Sequence, residues 1–174
     1  RVLFYKLLDV LLLRSWYIHR ELRKWNNSVG ATGISALDAG CGFGQYVYNL
    51  ARLNKSNKIL GVDVKDEQVA DCNGFFARLG MAERVHFEVQ DLTTFSSHEA
   101  FNLILSVDVM EHILEDRKVF SNFYDSLAKG GMLLISTPSD MGGSDSDNHD
   151  EEAHGFVDEH VRDGYSISDI TEKL

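Results

Sequence analysis

The chain has 174 residues, of which 44% are hydrophobic and 25% charged, as expected for one globular domain. Its formal charge of −10 disfavours partners that bind through phosphates, such as nucleic acid. The two cysteines, Cys41 and Cys72, lack the spacing of a disulfide framework or a zinc site. No secretion signal is recognisable. These features predict a soluble cytoplasmic protein that acts on a small molecule or a protein, without a metal.

Residues 2 to 25 carry apolar side chains every three or four positions, which predicts an amphipathic helix. Lys6, Asp9 and Arg14 interrupt the apolar run, so no membrane span is expected. We predict that residues 1–33 form an N-terminal helical cap over the core or over a pocket. The alternative is contact with a membrane interface or a partner helix through residues 2–25. Arg20 and Arg23 are either surface charges or contacts for a ligand carboxylate.

Strands and helices are predicted to alternate between residues 34 and 138. The apolar runs typical of buried strands lie at 34–39, 58–64, 85–89, 101–107 and 132–136. Helical periodicity lies between them, at 45–53, 66–79 and 114–129, and glycines follow the last two helices. Parallel neighbours need such crossovers, so the pattern predicts an α/β fold with a doubly wound, mainly parallel sheet and helices on both faces.

Residues 139–174 are predicted to be a mobile loop followed by the start of a C-terminal segment on the substrate side. A capping-box pattern at residues 166–169 precedes a last helix. The acidic and histidine residues at 149–154 are interpreted as a solvated stretch and not as metal ligands. The chain begins with Arg1 and stops inside a predicted helix, so we expect residues beyond both ends, including the C-terminal strands of the sheet.

A glycine loop follows the first predicted strand. Gly40, Gly42 and Gly44 alternate directly after Asp38, and glycines allow a sharp turn and close approach of a ligand to the backbone. Asp63 ends the second strand, where its carboxylate can accept hydrogen bonds from ribose hydroxyls. This arrangement suits a dinucleotide and an adenosylated methionine equally well.

Two neighbours of the loop distinguish these cofactors. A dinucleotide fingerprint calls for glycine or alanine where the chain has Gln45, and a pyrophosphate disfavours a carboxylate such as Asp38 beside its loop. A cationic sulfonium ligand with a free amino group favours that acid. Asp91, past the third strand, can accept from an adenine amine, and the backbone of Leu92 can complete the contact.

These motifs resemble those of the class I S-adenosylmethionine-dependent methyltransferases over residues 36–138. The family's acidic glycine loop falls on residues 38–44, its ribose-binding acid on Asp63 and its adenine-contacting acid on Asp91. Its motif after strand four falls on residues 106–112. The resemblance implies a Rossmann-like methyltransferase fold with S-adenosyl-L-methionine as the cofactor. The cofactor contacts expected at the loop and the strand ends are Asp38, Ala39, Gly40, Cys41, Gly42, Gly44, Asp63, Val64, Asp91, Leu92 and Val107.

The resemblance also implies direct in-line transfer of a methyl group to a small-molecule acceptor. A general base is required only if that acceptor must lose a proton. His112 and His160 are the candidate catalytic residues, each weighed against a structural or surface role. Two other functions stay open, namely a nucleotide-dependent oxidoreductase of the NAD type and a methyltransferase-like domain that binds without turnover.

Overall fold

The computed structural model of the chain describes residues 1–29, 32–140, 161–162 and 164–174. A short 3₁₀ turn at Met110–His112 follows β4. The other elements, in chain order, are α1 (Val2–Leu11), α2 (Leu13–Val29), β1 (Ser35–Ala39), α3 (Gln45–Leu53), β2 (Lys58–Asp63), α4 (Asp66–Arg78), β3 (Val85–Val89), β4 (Phe101–Val107), α5 (Asp116–Ser126), β5 (Leu127–Ser136) and α6 (Ile167–Lys173).

The five strands of the described residues form one sheet in the order β3-β2-β1-β4-β5. All four pairings are parallel, which confirms the predicted doubly wound α/β fold. The strand order reverses between β1 and β4, where Ala39 pairs with Ser106. In open α/β sheets ligands bind at the carboxyl ends of the strands beside such a reversal. The glycine loop leaves β1 at this edge.

Apolar clusters cover both faces of the sheet. Side chains of a strand alternate between faces, so Ala36 belongs to one cluster and its neighbour Leu37 to the other. Helices α1 to α4 contribute to the first cluster, through side chains such as Tyr5 and Phe76. Helix α5 and Tyr165 contribute to the second. Asp38 follows Leu37 and lies on the face that α1 to α4 cover.

The N-terminal segment differs from the single predicted helix. Leu12 is extended, with φ −97° and ψ 109°, and divides the segment into α1 and α2. A continuous helix over residues 2–25 would be about 36 Å long. The break lets both parts pack on the first cluster, because Tyr5 of α1 and Leu22 of α2 are both buried there. No helix of the described residues is long and apolar enough to cross a bilayer.

The region around β5 also differs from prediction. Helix α5 ends at Ser126 and not near residue 129, and Gly130 and Gly131 lie inside β5. Strand pairing already begins at Leu127, which lies opposite Phe101, and the register shifts before Leu103 pairs with Met132. Pairing with β4 thus overrides the local signal of the two glycines, which fall at the irregularity.

The residues after 160 attach to α5 through one buried carboxylate. Asp116 accepts hydrogen bonds from the Tyr165 hydroxyl at 2.8 Å and from Lys173 Nζ at 2.6 Å, and it pairs with Arg162. Burial acts to raise the pKa of Asp116, but these donors and charges outweigh it and leave that pKa below its usual range. The predicted capping box before α6 is confirmed, since Ser166 and Asp169 bond reciprocally.

Replacing Tyr165 with phenylalanine is expected to lower the free energy of unfolding by about 1–2 kcal/mol. The hydroxyl donates its one proton to Asp116 at 2.8 Å, with the Met110 carbonyl at 3.1 Å as an alternative acceptor, and its removal takes one donor from this buried site. Urea unfolding would measure the change, with Tyr124→Phe on the exposed side of α5 as the matched control. Equal stabilities of the two variants would contradict this account of the attachment.

Candidate active site

The glycine loop between β1 and α3 is held by hydrogen bonds within the protein. The N–H groups of Gly40 and Cys41 both donate to the Val62 carbonyl at 2.9 Å, and that of Gly44 donates to the Cys41 carbonyl. The Gly42 N–H donates to Asp63 Oδ2 at 2.9 Å. These four donors are therefore occupied without a ligand, unlike the free N–H groups that cradle phosphates.

Two of these glycines have different surroundings. Gly40 has φ +78°, and an added Cβ would lie 2.3 Å from a methyl group of Val109. Gly42 has φ +48°, but a Cβ there would meet no atom within 4 Å. Gly40 is thus required by packing, whereas Gly42 faces open space where a ligand can approach.

This difference predicts unequal losses of stability for two alanine variants. Gly42→Ala should cost about 1–2 kcal/mol of stability, the usual penalty for a left-handed non-glycine residue, and leave the fold intact. Gly40→Ala adds the clash with Val109 and should cost about 3 kcal/mol or more. Urea unfolding of both variants would measure this. Equal losses would show that the contact with Val109 relaxes freely.

Asp38 is the most unusual group at this edge of the sheet. Its side chain is buried in β1, and its Oδ2 atom has no hydrogen-bond partner. Burial raises the pKa of the Asp38 carboxyl to about 7, the Asp63 carboxylate adds to that rise, and a hydrogen bond from the Val47 N–H opposes it. A buried, unpartnered carboxylate oxygen is costly, so this position suits a ligand that brings a donor or a positive charge.

Asp63 lies at the end of β2, one strand away from Asp38. Its two oxygens accept from the N–H groups of Gly42, at 2.9 Å, and Lys65, at 3.0 Å. A carboxylate offers about four acceptor positions, so capacity for two more donors remains. Val64, the next residue, is exposed. Asp63 thus both positions the glycine loop and can accept hydrogen bonds from a ligand.

The end of β3 presents a different arrangement. Asp91 is exposed, and its Oδ1 accepts from the N–H and the hydroxyl of Thr93, each at 2.8 Å. The two hydrogen bonds lower the pKa of Asp91. The Leu92 side chain is buried in the second cluster, and its carbonyl accepts from Asn122. Because the Leu92 side chain is buried and its carbonyl already has a donor, its backbone N–H is the group that can contribute to a ligand site.

A cavity of about 140 Å³ lies between the loop and the N-terminal helices. Sites that bury a whole drug-sized ligand have about 300–1,000 Å³, so this cavity holds part of such a ligand. The rest would lie along the exposed strand ends near Asp63. The residues that line the cavity are Leu8, Arg14, Gly40, Cys41, Phe43, Gln45, Tyr46, Val107 and Asp108.

Three polar contacts attach α1 and α2 to the rim of this cavity. The Tyr5 hydroxyl donates to the Phe43 carbonyl, and Arg14 pairs with Asp108. Asp9 accepts from Gln45 Nε2 at 2.7 Å. The arginine that reaches this site is therefore Arg14. Arg20 and Arg23 line a separate surface cleft between α2 and α3.

Asp108 and His112 both follow β4, but only Asp108 is among the residues that line the cavity. Asp108 adopts φ +52°, a left-handed conformation that is uncommon outside glycine and recurs at functional sites. Burial raises the pKa of the Asp108 carboxyl, against the opposing influence of Arg14 and His112. His112 ends the 3₁₀ turn and is exposed. The other predicted catalytic residue, His160, lies outside the described residues.

The structure thus brings the loop, Asp38, Asp63 and Val107 to one edge, and it adds residues that sequence reasoning did not select. The sequence contained an indication that Asp108 belongs to the site, because this residue directly follows a predicted strand within the motif at residues 106–112. The sequence contained no such indication for Arg14 and Leu8, since their position depends on how α1 and α2 pack against α3.

Comparison with known families decides the assignment of the chain. The profile of the family described as "Methyltransferase domain" matches residues 31–167, which includes the whole sheet. The chain belongs to this methyltransferase domain family. The match agrees with the resemblance of the loop and strand-end motifs to the class I S-adenosylmethionine-dependent methyltransferases.

Individual relatives and solved structures of this family are consistent with that assignment. The chain is 32% identical over 142 residues to phosphoethanolamine N-methyltransferase 1 of Triticum aestivum, covering 79% of this chain and 26% of that protein. The structure of phosphoethanolamine N-methyltransferase 2 of Haemonchus contortus, solved with S-adenosyl-L-methionine, superposes with a TM-score of 0.73 at 24% identity, over 91% of this chain and 35% of that one. This second likeness shows the Rossmann-like methyltransferase fold.

Members of this fold differ in activity and in length. The [4+2]-cyclase SpnF is similar to this chain with a TM-score of 0.60 and 26% identity, over 67% of this chain and 44% of that one. The fold alone therefore does not specify the reaction. The chain spans about a quarter of the length of the first curated relatives that it matches.

Proposed function

We propose that this chain binds S-adenosyl-L-methionine and transfers its methyl group to a small-molecule acceptor. The observation that carries the proposal is the buried Asp38 carboxylate, whose Oδ2 lacks a partner beside the glycine loop. A ligand with an ammonium group would supply the missing donor and compensate the buried charge. Membership of the methyltransferase domain family supports the same cofactor.

Each strand end has a part in the proposed cofactor site. Asp38 holds the amino group of the methionine portion. The open space at Gly42 lets that portion of the cofactor lie against the backbone of the loop. Asp63 accepts from the ribose hydroxyls, flanked by Val64. Asp91 and the backbone of Leu92 contact the adenine edge, and Val107 lines the cavity. Ala39, Gly40, Cys41 and Gly44 shape the loop.

The cofactor supplies an electrophilic methyl group bound to a sulfonium. The protein's contribution is to hold the acceptor in line and to exclude water, and such positioning contributes on the order of 7–11 kcal/mol. Helices α1 and α2 are attached to the rim of the cavity through Arg14 and Tyr5, and in this proposal they limit the access of water to it. We retain the division into a helical cap (1–33), a cofactor-binding core (34–138) and a substrate-side segment (139–174) as part of this proposal.

The acceptor side of the proposed site is formed by the residues after β4. The Asp108 carboxylate lines the cavity and can accept a hydrogen bond from an amine or a hydroxyl. His112, three residues after Val109 along the same turn, is the candidate base for an acceptor that must lose a proton. His160 stays a second candidate. Since a relative is named a phosphoethanolamine N-methyltransferase, phosphoethanolamine is the first acceptor to test.

The occupied N–H groups of the loop argue against an NAD-type oxidoreductase. A dinucleotide places its pyrophosphate on free backbone donors at a helix N-terminus. Here the donors of Gly40, Cys41 and Gly42 bond to Val62 and Asp63. A buried acid at the same loop would also repel the pyrophosphate.

Transfer of a radiolabelled methyl group tests the proposal. The purified chain is incubated with labelled S-adenosylmethionine and either phosphoethanolamine or a protein-free metabolite extract, with Asp38→Asn as the matched negative control. We expect label in the small-molecule fraction for the wild-type protein and at least about tenfold less label for Asp38→Asn. Binding of the cofactor without any transfer would favour a domain that binds without turnover. Transfer only to protein or RNA would contradict a small-molecule acceptor.

A further inference from the structure

The outward surface of α1 and the start of α2 is strongly apolar. In α1, Leu3, Leu7, Val10 and Leu11 are 52–80% exposed, and their spacing places them on one face of the helix. Lys6 and Asp9 are the two charged residues of α1, and Asp9 accepts hydrogen bonds from the side chains of Gln45 and Asn49 of α3. A helix that is apolar on nearly all sides is normally buried in a protein core or in lipid.

The apolar surface continues across the break at Leu12. Leu13, Trp16 and Tyr17 of α2 are 55–69% exposed. Isolated exposed apolar residues are common, but a contiguous group from two successive helices marks a surface that contacts a partner. Tryptophan and tyrosine are also the residues enriched where a bilayer meets water, because each ring has an apolar body and a polar group.

The charge of this region favours an anionic partner, although Arg1 and Arg14 pair with Asp71 and Asp108 of the core. Residues 1–29 contain six lysines and arginines against two acids, a balance of +4, whereas the whole chain carries −10. The remaining residues therefore carry −14. Arg20, Arg23 and Lys24 follow the exposed aromatic residues on α2 and line the cleft between α2 and α3 together with Trp16. Arg20 and Lys24 share the exposed Glu21 as an ion-pair partner, so these three cations exceed the neighbouring acid by two charges. Cations beside an apolar helix face are complementary to anionic lipid headgroups.

We propose that the surface formed by α1 and by α2 as far as Lys24 binds the interface of an anionic membrane. Leu11, Leu13 and Trp16 enter the boundary between headgroups and acyl chains, and Arg20, Arg23 and Lys24 contact lipid phosphates. A second copy of the chain is a poorer occupant, because its own positive segment would oppose this one. The same helices line the cavity through Leu8 and Arg14, so membrane binding brings the cavity close to the lipid surface. This proposal does not depend on the proposed methyl transfer.

Vesicle co-sedimentation tests the proposal, using phosphatidylcholine vesicles with and without phosphatidylglycerol. We expect the wild-type chain to bind the anionic vesicles, to bind neutral vesicles at least about tenfold more weakly, and to lose affinity as salt is added. Leu11→Gln with Trp16→Gln should weaken binding by about tenfold or more. Arg20→Gln, Arg23→Gln and Lys24→Gln together should weaken it by about a hundredfold at low salt.

The matched control replaces two exposed apolar residues elsewhere, Leu114→Gln and Tyr124→Gln, which are 76% and 83% exposed. This variant should bind like the wild type, and circular dichroism should show that all variants are folded. A Trp25→Phe background leaves Trp16 as the sole tryptophan, since the chain has two. Its emission should shift to shorter wavelength with anionic vesicles and be quenched by brominated lipid.

Several outcomes would overturn the proposal. These are absence of binding to anionic vesicles, equal binding by Leu11→Gln with Trp16→Gln, and unchanged Trp16 emission in the presence of bound vesicles. Light scattering gives a further test. A dimer of the wild-type chain that the Leu11→Gln and Trp16→Gln substitutions dissociate would assign the surface to a second copy instead.

Discussion

Replacing Asp63 with alanine is expected to weaken the binding of S-adenosylhomocysteine by about a hundredfold or more. Hydrogen bonds to a charged acceptor contribute about 1.5–3 kcal/mol each, and Asp63 has capacity for two ribose hydroxyls. The same carboxylate holds the Gly42 N–H at 2.9 Å, so its removal also loosens the loop. Isothermal titration calorimetry of the variant would measure the loss.

Two further variants separate these effects. Asp66→Ala removes an acid three residues away that is exposed and lies in the first turn of α4, and it should leave affinity within about twofold of the wild type. Asp63→Asn keeps the size of the side chain but removes its charge, and it should lose most of the affinity while remaining folded. Unchanged affinity in Asp63→Ala would contradict the assignment of the ribose to the end of β2.

Cofactor binding is expected to release a proton from Asp38 at mildly acidic pH. The pKa of Asp38 is raised to about 7 by burial and by Asp63, so the free protein carries a proton there at pH 6. The ammonium of a bound cofactor favours the charged carboxylate and lowers that pKa again. Affinity should therefore increase by up to about tenfold per pH unit between pH 5.5 and 7, and level off above this range.

Calorimetry in buffers of different ionisation enthalpy measures this release directly. We expect about one proton per cofactor bound at pH 6 and close to none at pH 8. In Asp38→Asn the release should disappear and the affinity at pH 8 should fall by about tenfold or more. A release that persists in Asp38→Asn would show that another group titrates.

The same shift predicts how the stability of the free protein depends on pH. Because the folded pKa lies above the ordinary value of 3.8, the contribution of Asp38 to stability is fully present below about pH 4. It is lost as the pH rises through about 7, when the buried carboxyl ionises. The stability of Asp38→Asn relative to the wild type should therefore increase between pH 4 and 8.

Much of the fold could be predicted from the sequence because local patterns and tertiary pairing agree there. Strands β3 and β4 and helix α3 have the predicted limits, since β3 alternates apolar and polar residues, β4 is largely apolar and α3 has helical periodicity. The errors arose where a distant partner decided the outcome. Leu127 extends into strand structure because Phe101 lies opposite it, and Leu12 breaks a helix so that both halves pack on one core.

The candidate site likewise contains residues that could be predicted from the sequence and residues that could not. The glycine loop, Asp38 and Asp63 are adjacent to strands in sequence, so their common position at one sheet edge follows from parallel topology. Arg14 reaches the cavity only because α2 packs against α3, and no periodicity in the sequence distinguishes it from Arg20. The occupied N–H groups of the loop likewise depend on atoms of β2 that the motif does not contain.

The most direct test of the central claim is calorimetric titration of the folded 174-residue chain with S-adenosylhomocysteine and, separately, with NAD. The proposed site predicts saturable binding of one S-adenosylhomocysteine per chain and no measurable binding of NAD. Absence of S-adenosylhomocysteine binding by the folded protein, or a preference for NAD, would contradict the assignment of the glycine loop, Asp38 and Asp63 to an S-adenosylmethionine site.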